Sequence, residues 1–409
     1  MHRTGCIRRA LALIAVVPLL AAPLVSGCAR VGTPDTGCAW KHQRIDGRAT
    51  AAVAVLVDRT ASMWHGRTGT ASGWADTIRG ALLADVRADG ARSVALGWFD
   101  GALGAPHWLV NNAPLPEARG NAGNVDKQED AITDCLDPEI EQVERAAPVR
   151  PGTDVLSAVS NGAAEVAGVA ATRRRLTVIT DGLPNRGCMD LRAPAEPTVI
   201  ADRCRRSGEL RPGMLRGVEV HLTGVGNGAS AVDDAGRQWL TVLWQRVCAA
   251  ANARASCVDG TQPPGTGAYV PANAAADAAV APPAIVYHRG VSDIPASLLF
   301  ATDSARIGDD AATVLAGVVS RIRQARARQV TVTGYTDSRG TAAHNADLSE
   351  RRARAVADVL RRSGIRVTDV TGYGETKPQC EERPGGRMDV RCMARDRRVR
   401  VTYGSGGAA

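Results

Sequence analysis

Aromatic side chains are scarce in this chain, at 3% of 409 residues with only two phenylalanines, so its cores must be built from Ala, Val, Leu and Ile. Lysine is almost missing: Lys41, Lys127 and Lys377 are the only three of 50 basic residues. No apolar run reaches the roughly 20 residues that a spanning helix needs. The one run of note, 10–25, stops short, which excludes a polytopic membrane protein. There is no Cys-x-x-Cys and only seven scattered histidines, which argues against zinc. No Gly-x-Ser-x-Gly elbow marks a hydrolase nucleophile. What is present is 44% hydrophobic and 22% charged, a globular composition. The length predicts two folded units rather than one. Net charge is a mild +8, and no nucleic-acid partner is expected.

The first residues have the parts of a secretory signal. Arg3, Arg8 and Arg9 give a positive start, 10–25 is the apolar stretch, and small residues follow. The end, Val25-Ser26-Gly27-Cys28, resembles a bacterial lipobox. The resemblance implies that 1–27 is removed and that Cys28 is lipidated, anchoring the chain to the outer side of a membrane. One acyl chain anchors only marginally, a need that the multiply acylated cysteine of lipoproteins meets.

Once Cys6 and Cys28 are set aside, eight cysteines remain, and an even count in an exported chain reads as disulfides. Eight cysteines allow 105 pairings. Proximity favours Cys380 with Cys392, Cys248 with Cys257 and Cys188 with Cys204, and elimination leaves Cys38 with Cys135.

Residues 258–284 are rich in Pro, Gly and Ala and nearly free of large apolar side chains, so they read as a linker. The expected order is a signal over 1–27, a tether over 28–50, one unit over 51–257, the linker, a second unit over 285–404 and a tail over 405–409. From residue 284 onward there are 21 basic and 14 acidic residues, against 26 and 28 between residues 28 and 283. The basic excess therefore belongs to the C-terminal unit, the one suited to a carboxylate-bearing ligand.

The first unit alternates buried-strand and helix patterns. Continuous apolar runs at 51–57, 93–99, 176–180 and 218–225 predict strands covered on both faces. Helical spacing links Trp74, Ile78, Leu82 and Val86, then Val155, Val159, Ala163 and Val166, then Trp239, Leu240, Leu243 and Val247. This predicts an α/β fold, a doubly wound, mostly parallel sheet. The stretch 100–150, with its Pro, Asn and Gly clusters, reads as an irregular insertion.

Ligands of open α/β sheets bind at the carboxyl ends of strands. Here those ends carry Asp58-Arg-Thr60-Ala-Ser62 and Thr180-Asp181-Gly182, while Thr153 sits just before a helix. Two carboxylates with three hydroxyls make a hard-oxygen set suited to Mg²⁺ or Ca²⁺. The arrangement resembles the metal-ion-dependent adhesion site of the von Willebrand factor type A family. Asp58, Thr60, Ser62, Thr153 and Asp181 fill its five positions, Thr60 replacing the family's first Ser. The resemblance implies a cation with one position open to an acidic residue of a protein partner. A strand-end Asp is also the placement of a phosphohydrolase nucleophile. That chemistry wants a second carboxylate two residues on and a cation nearby. Thr60 fills the first place, and no lysine follows a predicted strand.

In the second unit, helical spacing marks 312–322 and alternation marks a strand over 329–335. A helix opens near Asn345, with Asp347 and Glu350 as its capping box, and a last strand runs over 397–402. The motifs Gly-Tyr-Thr336-Asp337, Asn345, Leu-Ser-x-x-Arg352-Ala, Gly-Tyr-Gly-Glu and Arg-Arg-Val resemble the OmpA-like peptidoglycan-binding domain, an α+β unit smaller than the first. The resemblance implies that Asp337 and Arg352 hold the free end of a diaminopimelate stem, with Thr336 and Asn345 as buttresses. The charges suit that zwitterion: a carboxylate accepts from its ammonium and a guanidinium forks onto its carboxylate. Two departures stand out. Asp396 replaces the Asn that usually precedes Arg-Arg-Val, and 380–392 looks inserted.

The expectation is a non-enzymatic, lipid-anchored protein of the cell envelope. It would bind peptidoglycan through one unit and offer a divalent-metal adhesion site to a protein partner through the other. The alternatives are a wall-tethered phosphohydrolase using Asp58 and a purely structural membrane-to-wall tether without metal.

Overall fold

The computed structural model describes residues 37–63, 74–83, 90–101, 106–192, 195–227, 232–254, 257–260, 280, 282–308 and 311–403. Cys28, the signal, most of the Pro/Ala/Gly stretch and the tail lie outside the described residues.

The first half contains β1 (Arg48–Asp58), α1 (Ala75–Leu83), β2 (Arg92–Phe99), β3 (His107–Leu115), α2 (Ala122–Arg145), α3 (Val155–Ala167), β4 (Ala170–Ile179), α4 (Pro197–Ser207), β5 (Glu219–Thr223), α5 (Asp234–Ala250) and β6 (Val258–Gly260). The second contains β7 (Val286–His288), β8 (Val291–Pro295), α6 (Ala311–Gln324), β9 (Val330–Tyr335), α7 (Ala342–Arg362), β10 (Val367–Gly372), α8 (Val390–Asp396) and β11 (Arg398–Thr402).

The first sheet has the order β3-β2-β1-β4-β5-β6. It is parallel from β2 through β6, and only β3 at the edge runs antiparallel. Successive side chains of a strand point to opposite faces, and β1 uses both. Ala52, Ala54 and Leu56 pack with residues of α3, α4 and α5, whereas Val55 and Val57 pack with Ile78, Leu82, Ile132 and Leu136 of α1 and α2. A strand buried on both sides needs a continuous apolar run, which is what 51–57 supplies.

Three sequence expectations change. The stretch 100–150 is not irregular, for it holds the edge strand β3 and the 24-residue helix α2. The apolar stripe of α2, Ile132, Leu136, Ile140 and Val143, was masked by Pro138 inside the helix and by the Asn-Ala-Gly-Asn start. The first three residues of the stretch read as linker pair with β5 as strand β6. The start of α7 is capped by Thr341, whose hydroxyl accepts from His344 N, instead of by an Asp347/Glu350 box. Those two carboxylates lie inside the helix and pair with Arg351 and Arg354 at i+4.

The second sheet has the order β10-β9-β11-β8-β7, with only β10 and β9 parallel. Helix α7 lies close against it because two strand positions lack a side chain. A Cβ at Gly334 would sit 2.0 Å from Ser349 O, and one at Gly372 would sit 2.3 Å from Glu350 N. The described residues from Gly37 onward form one compact unit, and a single apolar cluster contains buried residues from both sheets' layers, among them Trp239, Leu298 and Phe300.

Four disulfides join Cys38 to Cys135, Cys188 to Cys204, Cys248 to Cys257 and Cys380 to Cys392, the pairs that proximity and elimination favour. Among the described residues, no helix is long and apolar enough to cross a membrane.

Candidate functional site

Two constellations of buried polar groups stand at strand ends, one on each sheet.

At the end of β1, Asp58 is fully buried. Its Oδ1 accepts from Thr60 N (3.0 Å) and Thr60 Oγ1 (2.7 Å), and its Oδ2 accepts from Thr180 Oγ1 (2.7 Å). Thr60 Oγ1 lies 3.2 Å from Ser62 Oγ. Asp181, also fully buried, turns the chain after β4 by accepting from Leu183 N at 3.0 Å. Burial, followed by the repulsion of Asp181, pushes the Asp58 carboxyl up to about 7, against the pull of its hydrogen bonds from Thr60 and Thr180. Thr153 is buried just before α3 and is fixed through its backbone, its N–H donating to Asn185 Oδ1 and its carbonyl accepting from Asn185 N. Asp58, Thr60 and Ser62 are therefore joined directly, and Asp181 is their electrostatic neighbour. Thr153 is tied to the loop that follows Asp181.

The donor set fits a hard divalent cation. Two buried carboxylates that repel each other favour an added positive charge, and the hydroxyls of Thr60 and Ser62 beside them are neutral oxygen donors. The neighbouring cation, Arg59, attracts Asp58 electrostatically but donates its hydrogen bonds to the carbonyls of Glu144 and Ala146. Thr180 was visible in the sequence at the strand end but was given no role there, and Asn185 was not singled out. Thr180 was legible as the hydroxyl preceding Asp181, whereas the role of Asn185 depends on a turn with no distinctive spacing. A second candidate group, Cys380, Cys392 and Asp396, has its two sulfurs joined to each other.

At the end of β9, Thr336 and Asp337 lead into the loop before α7. Asp337 and Arg352 are both about 5% exposed, and both line one cavity of about 580 Å³. Asp337 Oδ2 accepts from Arg339 Nε (3.0 Å) and Nη2 (2.7 Å) and from Arg397 Nη1, while Oδ1 accepts from Arg339 N. Burial pulls this carboxyl up. The hydrogen bonds and charges of the two arginines outweigh that and hold it below the usual carboxylate value. Arg352 donates from Nε to Ser304 O (2.8 Å) and from Nη2 to Ala301 O (3.4 Å), and its guanidinium lies over the Phe300 ring. Burial and then the repulsion of Arg397 bring its pKa down to about 10, so it stays charged at neutral pH. Asn345 Nδ2 donates to Asp337 O (3.1 Å) and to Glu375 Oε2, fixing the loop to the helix. Thr336 Oγ1 is buried and has no hydrogen-bond partner.

Residues 299–390 match the OmpA family. The C-terminal domain is OmpA-like. Among its relatives, outer membrane protein P5 of Haemophilus influenzae is 35% identical over 108 residues, which cover 25% of this chain and 30% of that protein. The peptidoglycan-associated lipoprotein of Mesorhizobium japonicum is 31% identical over 115 residues, 27% of this chain and 64% of that one. The chain thus spans under a third of the first relative and under two thirds of the second. The solved cell wall anchor of the T6SS from Pseudomonas aeruginosa shares 31% identity, covering 28% of this chain and 81% of that one at a TM-score of 0.25.

In the OmpA-like domain, sequence reasoning missed the two arginines that hold Asp337. Arg397 was visible as the first Arg of Arg-Arg-Val, and Arg339 sits two residues after Asp337, but nothing in their spacing says that both turn inward. The departure at Asp396 also has a structural role. Buried, it accepts from Gln379 N at 2.6 Å and anchors the segment that carries the Cys380–Cys392 bridge. That segment reaches the pocket loop, where Glu382 Oε2 accepts from Ser338 N at 2.9 Å.

Proposed function

We propose that this protein is a non-enzymatic tether of the cell envelope, lipid-anchored at Cys28, whose OmpA-like domain binds peptidoglycan through Asp337 and Arg352. The observation that carries the reading is the shared cavity: a buried carboxylate and a buried guanidinium face one space of about 580 Å³. A zwitterionic tip, one ammonium and one carboxylate on a single carbon, matches both. Its ammonium displaces Arg339, the more exposed of the two cations on Asp337, at 56% against 24% for Arg397. Its carboxylate takes bidentate donation from Arg352. Thr336, next to Asp337, lines the same space. Likeness to a peptidoglycan-associated lipoprotein over 115 residues supports the same reading.

The von Willebrand factor A-like part of the proposal rests on the oxygen cluster around Asp58. Asp58, Thr60, Ser62, Thr153 and Asp181 would hold Mg²⁺ or Ca²⁺, and the bound cation would supply an open position for an acidic side chain of a protein partner. A phosphohydrolase role for Asp58 is disfavoured by its environment. The second carboxylate that this chemistry wants two residues on is missing, since Thr60 stands there and donates its hydroxyl to Asp58 Oδ1.

The deciding experiment is retention on purified diaminopimelate-type peptidoglycan. The unaltered mature protein sediments with it, whereas Asp337→Ala and Arg352→Ala do not. Retention of both variants at the unaltered level overturns the reading.

A further inference from the structure

The guanidinium of Arg352 is held by the two ends of one β-turn. Its Nε donates to Ser304 O (2.8 Å) and its Nη2 to Ala301 O (3.4 Å), and Ser304 N closes the turn on Ala301 O at 3.1 Å. A guanidinium has five N–H donors. These bonds use the one on Nε and one on Nη2, so a fork onto a ligand carboxylate runs across the two Nη atoms. The direction of that fork follows the turn.

Packing does little to fix the turn, since Ala301, Thr302 and Asp303 are all exposed. Its base is secured by the bridge between Phe300 and Ile307 and by Gly308 N donating to Leu299 O at 2.9 Å. Its tip is Asp303, the third residue of the turn, whose backbone is left-handed at φ +57°. Glycine is the usual residue at such a position, and aspartate is one of the few with a Cβ that tolerate it. What aspartate adds over glycine is a carboxylate, and its Oδ1 lies 2.7 Å from His344 Nε2. His344 is in the first turn of α7, eight residues before Arg352 and about 12 Å from it along the helix. The turn is thus pinned to α7 at two points, through its carbonyls at Arg352 and through its carboxylate at His344. The same carboxylate attracts the Arg352 guanidinium more strongly than Asp337 does. Asp303, His344 and Arg352 all line the cavity of about 580 Å³.

We propose that Asp303 and His344 form a clasp that orients Arg352 towards the ligand carboxylate. Both are positioning residues, and they act on the carboxylate half of the zwitterion and not on its ammonium. This inference rests on the wall-binding reading.

The test is the affinity of the full mature chain for two probes, free diaminopimelate by calorimetry and lysine by NMR titration. Lysine carries the side-chain ammonium without the carboxylate beside it. Asp303→Ala and His344→Ala each lower diaminopimelate affinity about three- to tenfold, the scale of one hydrogen bond. They leave lysine affinity and the Tm unchanged, since an exposed pair contributes little to stability. Asp303→Asn restores diaminopimelate affinity, because Asn keeps an acceptor for His344 and tolerates the left-handed backbone. With no ligand present, the Arg352 Nε–H resonance shifts in His344→Ala. A merely structural role would lower both probes together and move the Tm. Unchanged diaminopimelate affinity with an unmoved Arg352 resonance, or an equal loss for both probes, overturns the clasp while wall binding stands. If diaminopimelate does not bind the unaltered protein, the wall-binding reading falls and the clasp with it.

Discussion

The two strand-end sites use the same residue type in opposite electrostatic settings. Asp337 is surrounded by Arg339, Arg397 and Arg352, and its carboxyl is held below its ordinary pKa. Asp58 accepts from the neutral hydroxyls of Thr60 and Thr180, and burial followed by the repulsion of Asp181 pushes its carboxyl up to about 7. The first carboxylate is balanced by the protein's own arginines, and in the proposed reading a ligand ammonium takes the place of one of them. The second carboxylate is disfavoured as an anion by burial and by Asp181, and in the proposed reading a metal ion offsets both. Burial alone thus does not decide which way a carboxyl shifts. The sign of what surrounds the carboxylate does.

Breaking the balanced site should give the largest effect. Removing one partner of a buried ionic group costs about 3–5 kcal/mol, so Asp337→Ala or Arg352→Ala should lower peptidoglycan affinity about 100-fold or more, measured by co-sedimentation at fixed salt. Thermal melts of both variants check that the loss is not unfolding. Completing the unbalanced site comes next. Mg²⁺ at about a hundredfold excess over its Kd should stabilise the protein by about 2–3 kcal/mol; no shift in Tm in the unaltered chain would sink the metal assignment.

The pH dependence sharpens that contrast. Because Asp58 is raised, the metal-free folded chain binds more protons than the unfolded chain between about pH 4 and 7. Its contribution to stability therefore falls as pH rises through that window. A cation must displace the proton, so Mg²⁺ should stabilise more at pH 8 than at pH 5. Asp337 behaves oppositely. Its lowered pKa makes a stabilising contribution that is present above about pH 4 and is lost only as pH falls further.

A smaller effect is expected at Asp396, whose carboxyl burial and Glu382 raise to about 6. Asp396→Asn keeps an acceptor for Gln379 N and should change stability by under about 1 kcal/mol at pH 5. It should also flatten the decline between about pH 4 and 6, as followed by urea denaturation. The smallest expected effect is none: chelation or Asp58→Ala should leave peptidoglycan retention unaltered. A parallel loss would mean that the two sites are coupled.

Much of the architecture was legible because burial on both faces forces a continuous apolar run, as in β1, and alternation marks a half-buried strand, as in β9. The residues that seed each site were legible for a related reason: Asp58, Asp181 and Asp337 directly follow such runs or lie within two residues of them. Their electrostatic partners were not. Arg397 reaches Asp337 across 60 residues and Thr180 reaches Asp58 across 122, and such pairings depend on which strands become neighbours. Helix α2 was missed for a local reason, since Pro138 and the glycine near its start suggested a break that packing overrides.

The Cys38–Cys135 bridge gains meaning if the chain is held at one end by a lipid and at the other by murein. Pulling on the amino terminus would then be delivered at Cys38 and pass through sulfur into the middle of α2, 97 residues further along the chain. The central strand β1, which begins only ten residues after Cys38, would be spared from being peeled off its neighbours. The staple would let envelope tension travel between the two surfaces without unzipping the sheet that displays Asp58.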